Sequence, residues 1–81
     1  MNIKQDEIEL VKLILSHCTK PYDRIPTEKI DALDIHPKRI DYLLHKMSHF
    51  IEYGINVWYG WIDQSPQYIR DYYKRVHEVE L

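Results

Sequence analysis

Two histidines at helical spacing are the residues of this sequence that come closest to a chemical motif. His45 and His49 lie four positions apart, a separation that places both imidazoles on one helical face and suits a divalent metal ion. Lys46, however, stands where the zinc protease pattern HExxH has its glutamate, and the sequence offers no evident third ligand. We therefore expect no metal site, and we interpret both histidines as solvent-exposed or nucleic-acid-facing groups whose titration would make binding depend on pH.

The other reactive side chains form no catalytic pattern. Cys18 is the single cysteine, which excludes an internal disulfide and a four-thiolate zinc site, and its place at the end of an apolar stripe is typical of a small buried hydrophobe. The sequence has no Gly-rich phosphate loop, no nucleophile elbow and no paired carboxylates. We therefore predict that the protein is not an enzyme and that it needs no cofactor.

Length and composition are typical of one small folded domain spanning residues 1–81. The 81 residues are 44% hydrophobic and 30% charged, and 11 Lys and Arg stand against 13 Asp and Glu, a formal net charge of -2. This balance removes the simplest argument for nucleic-acid binding, a strongly basic surface. The N-terminal stretch lacks the basic start and the long apolar run of a secretory signal, and no later run approaches a membrane span. We expect a cytoplasmic protein without membrane contact.

Apolar spacing and capping signals predict a mainly helical chain with one small β-hairpin. His36 and Ser65 each precede a proline, so each pair offers a cap and a first helical residue whose missing N–H costs nothing. From Tyr53 the apolar period changes to two, and Gly60 supplies a turn, which predicts two short strands. The expected helices lie at about 5–18, 28–34, 37–50 and 66–79, and the hairpin lies at about 54–63.

The third predicted helix has the clearest apolar face. Ile40, Leu43, Leu44 and Met47 recur at three- and four-residue steps, so they are expected to point inward. At about 100° per residue, the opposite side of this helix carries polar and cationic groups. They are Lys38, Tyr42, His45 and His49, with Arg39 and Lys46 at the flanks.

The order of these elements resembles a known family of DNA-binding domains. A short helix, a tight turn containing Ile35, a longer amphipathic helix and a hairpin follow one another in the stretch IPTEKIDALDIHPKRIDYLLHKMSHFIEYGINVWYGWI. This stretch is similar to the winged helix-turn-helix modules of small bacterial regulators. Its end, GINVWYGW from Gly54 to Trp61, resembles the wing in the N-terminal DNA-binding domain of biotin ligase-repressors. The resemblance covers a little under half of the chain and rests on spacing and residue class.

The resemblance implies sequence-specific binding of duplex DNA by a small transcriptional regulator, with residues 37–49 as the recognition helix in the major groove. The implied contacts come from Lys38, Arg39, Tyr42, His45, Lys46 and His49. The first two lie in the first helical turn, where they reach base edges or phosphates, whereas Lys46 is better placed for a phosphate. Because the cations are few, a single copy is expected to bind weakly, so the C-terminal helix is the candidate surface for a homodimer.

The predicted wing departs from the family pattern, because no Lys or Arg lies between Lys46 and Arg70. Its aromatic side chains either pack on the core or form a protein interface, and they are Trp58, Tyr59 and Trp61. The alternative function is therefore a protein-interaction module on the same scaffold, for example a phage or mobile-element adaptor or an inhibitor of a host protein. Such a partner would bind the aromatic wing and the C-terminal helix.

Overall fold

A computed structural model describes residues 3–53 and 59–81 of the chain. Within these ranges the protein is mainly helical and contains one small antiparallel sheet, so the coarse fold prediction is confirmed. In chain order the elements are α1 (Gln5–His17), β1 (Arg24–Pro26), α2 (Thr27–Asp31), α3 (Pro37–Lys46), β2 (Ile51–Tyr53), β3 (Tyr59–Ile62) and α4 (Pro66–His77). The first part of the predicted wing, residues 54–58 and with it Trp58, lies outside the described residues.

The first helix, α1, contributes an apolar stripe to the core and two acids near its start. Leu10, Val11 and Ile14 are fully buried. Asp6 and Glu7 lie in the first turn, where negative charge interacts favourably with the helix dipole. Helix α1 therefore packs in the core and also supplies carboxylates that bind side chains of other helices.

A short connection leads from α2 into α3, and α3 starts as the sequence predicts. The Nδ1 atom of His36 accepts a hydrogen bond from the backbone N–H of Lys38 at 3.1 Å, and Pro37 stands at the start of the helix. Leu33 and Ile35 of the connection are half-buried and pack against the core. The connection is therefore fixed by packing as well as by the cap.

The predicted end of α3 near residue 50 is wrong, because the helix ends at Lys46. The carbonyl oxygen of Met47 accepts hydrogen bonds from the N–H groups of Phe50 and Ile51, each at 3.0 Å, so the chain turns here. The turn carries Phe50 into the core and begins β2 at Ile51, and both side chains are fully buried. His49 therefore lies beyond the helix and not on its outer face.

The sheet has the strand order β1-β3-β2, and both pairings are antiparallel. Ile25 of β1, Ile51 of β2 and Ile62 of β3 are fully buried, so this face of the sheet covers the core. Side chains alternate along a strand, so the opposite face carries Arg24 next to Trp61, its partner in the register. The strand β1 was not predicted, because three residues are too few to establish an alternating pattern.

The loop before β1 is held by the carboxylate of Asp23. Its Oδ2 atom accepts hydrogen bonds from the N–H groups of Thr19 (2.9 Å) and Lys20 (3.2 Å) and from the Thr19 hydroxyl (3.0 Å). The hydrogen bond from the Thr19 N–H is the main cause that lowers the pKa of Asp23. Tyr22 in this loop has a left-handed backbone with φ of 69°, which costs a non-glycine residue about 1–2 kcal/mol, and its side chain is 70% exposed.

The last helix, α4, starts as predicted and ends earlier than the predicted residue 79. The hydroxyl of Ser65 accepts a hydrogen bond from the N–H of Tyr68 at 3.1 Å. Glu78 adopts the left-handed conformation (φ 58°, ψ 35°), and its N–H donates to the carbonyl of Lys74 at 3.1 Å. This is the αL motif that closes a helix, and it explains the earlier end.

Each of the four described helices and three described strands contributes at least one side chain to the core. Cys18, Met47 and Phe50, which lie between elements, contribute as well. Fully or almost fully buried hydrophobic residues are Leu10, Val11, Ile14, Leu15, Cys18, Ile25, Ile30, Ile40, Leu43, Leu44, Met47, Phe50, Ile51, Ile62, Ile69 and Tyr73. In the described ranges, no helix has both the length and the apolar content to cross a membrane.

The thiol of Cys18 is part of this core, as expected of a small buried hydrophobe. Its Sγ atom lies 3.4 Å from the carbonyl oxygen of Asp23. Burial, followed by the nearby charge of Asp23, raises the pKa of Cys18 to about 11. The thiol is therefore protonated near neutral pH and a poor nucleophile.

Candidate nucleic-acid interface

The outer face of α3 is exposed to solvent, opposite buried Ile40 and Leu43. Lys38, Tyr42 and His45 lie on it, and Tyr42 is 57% exposed. At a rise of about 1.5 Å per residue, these three side chains extend over roughly 10 Å of the helix. One exposed side of α3 therefore carries the ammonium of Lys38, the phenol of Tyr42 and the imidazole of His45.

The imidazole of His45 has a fixed orientation. Its Nδ1 atom lies 2.9 Å from the carbonyl oxygen of Asp41, one turn earlier in α3. A carbonyl oxygen only accepts hydrogen bonds, so Nδ1 carries the hydrogen and Nε2 remains the acceptor in the neutral ring. The Nε2 atom is thus the ring nitrogen of His45 that is left for a ligand.

Arg39, one of the predicted contact residues, is engaged with α1 instead. Its Nε atom donates to Oδ2 of Asp6 at 2.8 Å, and its Nη2 atom donates to Oδ1 at 3.1 Å. The guanidinium also lies against the ring of Tyr42, with 5.1 Å from Cζ to the ring centroid. The hydrogen bond from Arg39 is the main cause that lowers the pKa of Asp6, and the same bond raises the pKa of Arg39.

Lys46, a second predicted contact residue, is bound to a buried carboxylate. Its Nζ atom donates to Oε1 of Glu7 at 2.8 Å, and the hydroxyl of Tyr73 donates to Oε2 at 2.9 Å. The side chain of Glu7 is only 2% exposed, whereas that of Lys46 is 40% exposed. Burial, followed by the carboxylate charge, raises the pKa of Tyr73, so its hydroxyl stays protonated and donates. This network joins α1, α3 and α4.

Two of the three predicted cations of α3 form ion pairs with α1, and the third does not. Arg39 and Lys46 fix α3 against α1, and their charges are compensated by Asp6 and Glu7. Lys38 forms no ion pair with any described residue. The uncompensated positive charge of this face therefore lies at the start of the helix.

A pH-dependent test of the Arg39 pair follows from the lowered pKa of Asp6. The folded-state pKa lies below the ordinary value of 3.8, so the ionised carboxylate favours the folded state. This stabilisation is fully present above the ordinary value and is lost as the pH falls through the folded-state pKa. Asp6→Asn is therefore expected to lower the melting temperature near neutral pH and to lower it less at about pH 2.

The measurement is thermal unfolding of wild type and Asp6→Asn, followed by circular dichroism at the two pH values. Arg39→Gln removes the other partner of the same pair and is expected to give the same pH pattern. A melting-temperature difference of equal size at both pH values would contradict the assigned role of Asp6.

The sequence-based placement of His49 is corrected by the turn after α3. The His49 ring lies in an aromatic group, 4.5 Å from the Phe50 centroid and 4.7 Å from the Tyr72 centroid. The residue is exposed, but it faces α4 rather than lying in line with Lys38 and Tyr42 on α3. We therefore remove His49 from the set of α3 contact residues.

The surface between the end of α3 and β2 carries no Lys or Arg in its lining. A shallow groove of about 150 Å³ lies between these elements, lined by Leu44, His45, Ser48, Ile51 and Glu52. Glu52 is exposed on β2, and Asp41 is exposed on α3. Both carboxylates would repel phosphates, so phosphate contacts are expected toward Lys38 rather than toward the groove.

The aromatic residues of the predicted wing lie on the outer face of the sheet. Tyr59 and Trp61 are half-buried, with ring centroids 6.0 Å apart. The guanidinium Cζ of Arg24 lies 4.4 Å from the Tyr59 centroid. With Tyr22, these side chains line an open depression of about 230 Å³.

Three residues were missed by sequence reasoning, namely the buried Glu7 and the two exposed residues Tyr22 and Arg24. The partner role of Glu7 has no local signal, because Lys46 and Tyr73 lie far away in the chain. Arg24 lies in the strand that was not predicted, and Tyr22 lies in its loop. The dipeptide Pro21-Tyr22 was a usable turn signal, but it does not indicate which way the ring faces.

His45 lies on α3 and His49 in the turn beyond it, so the two are not on one helical face. Among residues 3–53 and 59–81, no three His, Cys, Asp or Glu side chains are grouped so that they could hold a metal ion.

Comparison with known proteins places the chain in no family. No protein-family model, no curated protein sequence and no solved structure matches it.

Proposed function

We propose that this protein is a winged helix-turn-helix protein that binds duplex DNA through the outer face of α3 and acts as a small transcriptional regulator. The observation that carries the proposal is the joint placement of α2, α3 and the sheet. Two helices joined by a short packed connection lead into strands of one three-stranded sheet, and the polar side of the second helix is exposed. This is the arrangement expected for a recognition helix beside a wing. A cytoplasmic location, as for the small bacterial regulators that the sequence resembles, is part of this proposal.

The proposed contacts are fewer than the six that the sequence suggested. Lys38 lies in the first turn of α3, where an ammonium can reach a phosphate or a guanine edge. Tyr42 and His45, further along the same side, supply a hydroxyl and an imidazole for base edges or phosphates. Lys38, Tyr42 and His45 are therefore the contact set.

Arg39 and Lys46 take a positioning role in this proposal. Both cations hold α3 against α1 by binding the carboxylates of Asp6 and Glu7. In this way they set the angle at which α3 would enter the major groove of DNA. Their charges are already compensated, so they release few DNA counterions. One copy of the chain should therefore bind DNA weakly.

The salt dependence of duplex binding tests the proposal. Fluorescence anisotropy with a labelled duplex of about 20 base pairs, measured from about 20 to 200 mM NaCl, gives the slope of log K against log salt. We expect binding at low salt with a slope of about -1 to -3 for each copy, the value for one to three phosphates. Failure to bind at the lowest salt would contradict the proposal.

A second candidate function is supported by the outer face of the sheet. Tyr22 is strained and 70% exposed, and it lies with Arg24, Tyr59 and Trp61 around one depression. Clustered aromatics beside an arginine are typical of the centres of protein interfaces. This surface favours the alternative of a protein-interaction module, such as an adaptor or an inhibitor of a host protein.

The second candidate is tested by affinity capture after nuclease treatment. Wild type and Tyr42→Ala should retain the same stoichiometric partner, and Trp61→Ala should lose it while keeping its helical circular dichroism spectrum. A partner that Trp61→Ala also retains would exclude this surface.

A further inference from the structure

A row of partly exposed apolar side chains runs along α4. Tyr68, Tyr72 and Val76 follow one another at four-residue steps, so they lie on one side of the helix. Tyr68 is 45% exposed, Val76 is 36% exposed and Tyr72 is half-buried. We call these three residues the α4 row.

Tyr72, the central residue of the α4 row, packs against other aromatic rings. The Tyr72 ring packs at 4.7 Å from the His49 ring and at 5.3 Å from the Tyr73 ring, and Tyr73 is fully buried. The central residue of the row is therefore held in place by its ring contacts. A side chain that is already held in place loses little entropy when it is covered.

Opposite charges flank the α4 row on one side. Asp71 and Arg75 are both exposed and lie one turn apart. The carboxylate of Asp71 accepts a hydrogen bond from the Gln67 amide at 2.8 Å, and Arg75 has no ion pair with any residue the structure describes. Among the described residues, the guanidinium of Arg75 therefore has no ion-pair partner, and the carboxylate of Asp71 can accept further hydrogen bonds.

We propose that the α4 row is the interface of a homodimer, in which α4 packs antiparallel against α4 of a second copy across a two-fold axis at Tyr72. This axis places Tyr68 of one copy against Val76 of the other and the two Tyr72 rings against each other. The same axis brings Asp71 of one copy beside Arg75 of the other, with a stagger of about 3 Å along the helix at 1.5 Å per residue. Two such ion pairs form, one on each side of the axis.

The partner that covers the α4 row is a second copy of this chain, because Asp71 and Arg75 of one copy complement the same two residues of another. In a two-fold interface each patch must match itself, and a row centred on Tyr72 with a paired acid and base on its flank meets that condition. A partner with a different sequence would need no such symmetry. The dimer would give a DNA-binding protein two copies of α3, but its formation does not depend on DNA.

Charge reversal tests the dimer directly. Sedimentation velocity of wild type, over a range of concentrations and without DNA, should show the mass rise from one chain towards two. Arg75→Asp places like charges opposite Asp71 and should leave the protein monomeric over the same range. The double variant Asp71→Arg with Arg75→Asp restores opposite charges and should recover the association of wild type.

Arg70→Asp is the matched control, because Arg70 lies on α4 but outside the α4 row and its charged flank. It changes the net charge as Arg75→Asp does and should leave association unchanged. A monomeric wild type, equal weakening by Arg70→Asp, or failure of the double variant to associate would each overturn the dimer. Because DNA is absent from these measurements, none of these results bears on duplex binding.

Discussion

Replacing Glu7 by alanine is expected to lower the free energy of unfolding by about 3 kcal/mol. The carboxylate is almost fully buried and accepts hydrogen bonds from Lys46 and Tyr73. In the variant, the fully buried Tyr73 hydroxyl has lost its acceptor, which costs about 1–3 kcal/mol, and the removed side chain leaves a void. Lys46 adds little to the loss, because its ammonium can turn to water. A domain of 81 residues has only about 4–12 kcal/mol in total.

Urea unfolding of three variants separates the causes of this loss. Glu7→Gln keeps an acceptor for Tyr73 but removes the charge that faces Lys46, so its loss should be smaller than that of Glu7→Ala. Glu9→Ala is the matched control, since Glu9 is exposed on the same helix and should give a change near zero. A stability of Glu7→Ala equal to that of Glu9→Ala would contradict the role of the buried network.

The double variant Lys38→Ala with Tyr42→Ala is expected to weaken duplex binding about tenfold or more, with little change in stability. Lys38 is the α3 cation without an ion pair among the described residues, and Tyr42 is exposed one turn further on. Removal of one phosphate-binding ammonium should also reduce the salt slope by about 1. Anisotropy titrations at two salt concentrations measure both effects.

The matched control for this variant is Lys20→Ala with Tyr22→Ala. It also removes one exposed lysine and one exposed tyrosine, but from the loop beside the outer face of the sheet. Duplex affinity should be unchanged in the control. Loss of binding in the control, with none in the α3 variant, would assign DNA binding to the sheet instead.

Stability and binding are thus expected to respond to different residues: Glu7 of α1 for stability, and Lys38 and Tyr42 of α3 for binding. Glu7→Ala removes the carboxylate that Tyr73 and Lys46 share, whereas the Lys38 and Tyr42 changes leave this buried network intact. The cations that look equivalent in the sequence have separate roles, because the acids of α1 reach only two of them.

The helix starts were predictable because their signals are local. His36 and Ser65 accept hydrogen bonds from backbone N–H groups two and three residues away, and the prolines that follow them favour helical backbone angles. The helix ends were less predictable. The end of α3 depends on the burial of Phe50 and Ile51 by other elements, which no local pattern contains.

The exposed side of α3 was also predictable, since it follows from the apolar spacing of Ile40 and Leu43. The ion pairs were not. Asp6 and Glu7 lie more than thirty positions from Arg39 and Lys46, so only the packing of α1 on α3 brings them together. In the same way, the surface around Tyr22 requires β1 to pair with β3, and β1 is too short to be recognised.

The most direct test of the account is an NMR titration of the ¹⁵N-labelled protein with a short duplex at low salt. We predict amide shift changes along the outer side of α3, at Lys38, Tyr42 and His45, with none at Arg24 or Trp61. Shift changes confined to the outer face of the sheet, or no changes at any duplex concentration, would contradict DNA binding through α3.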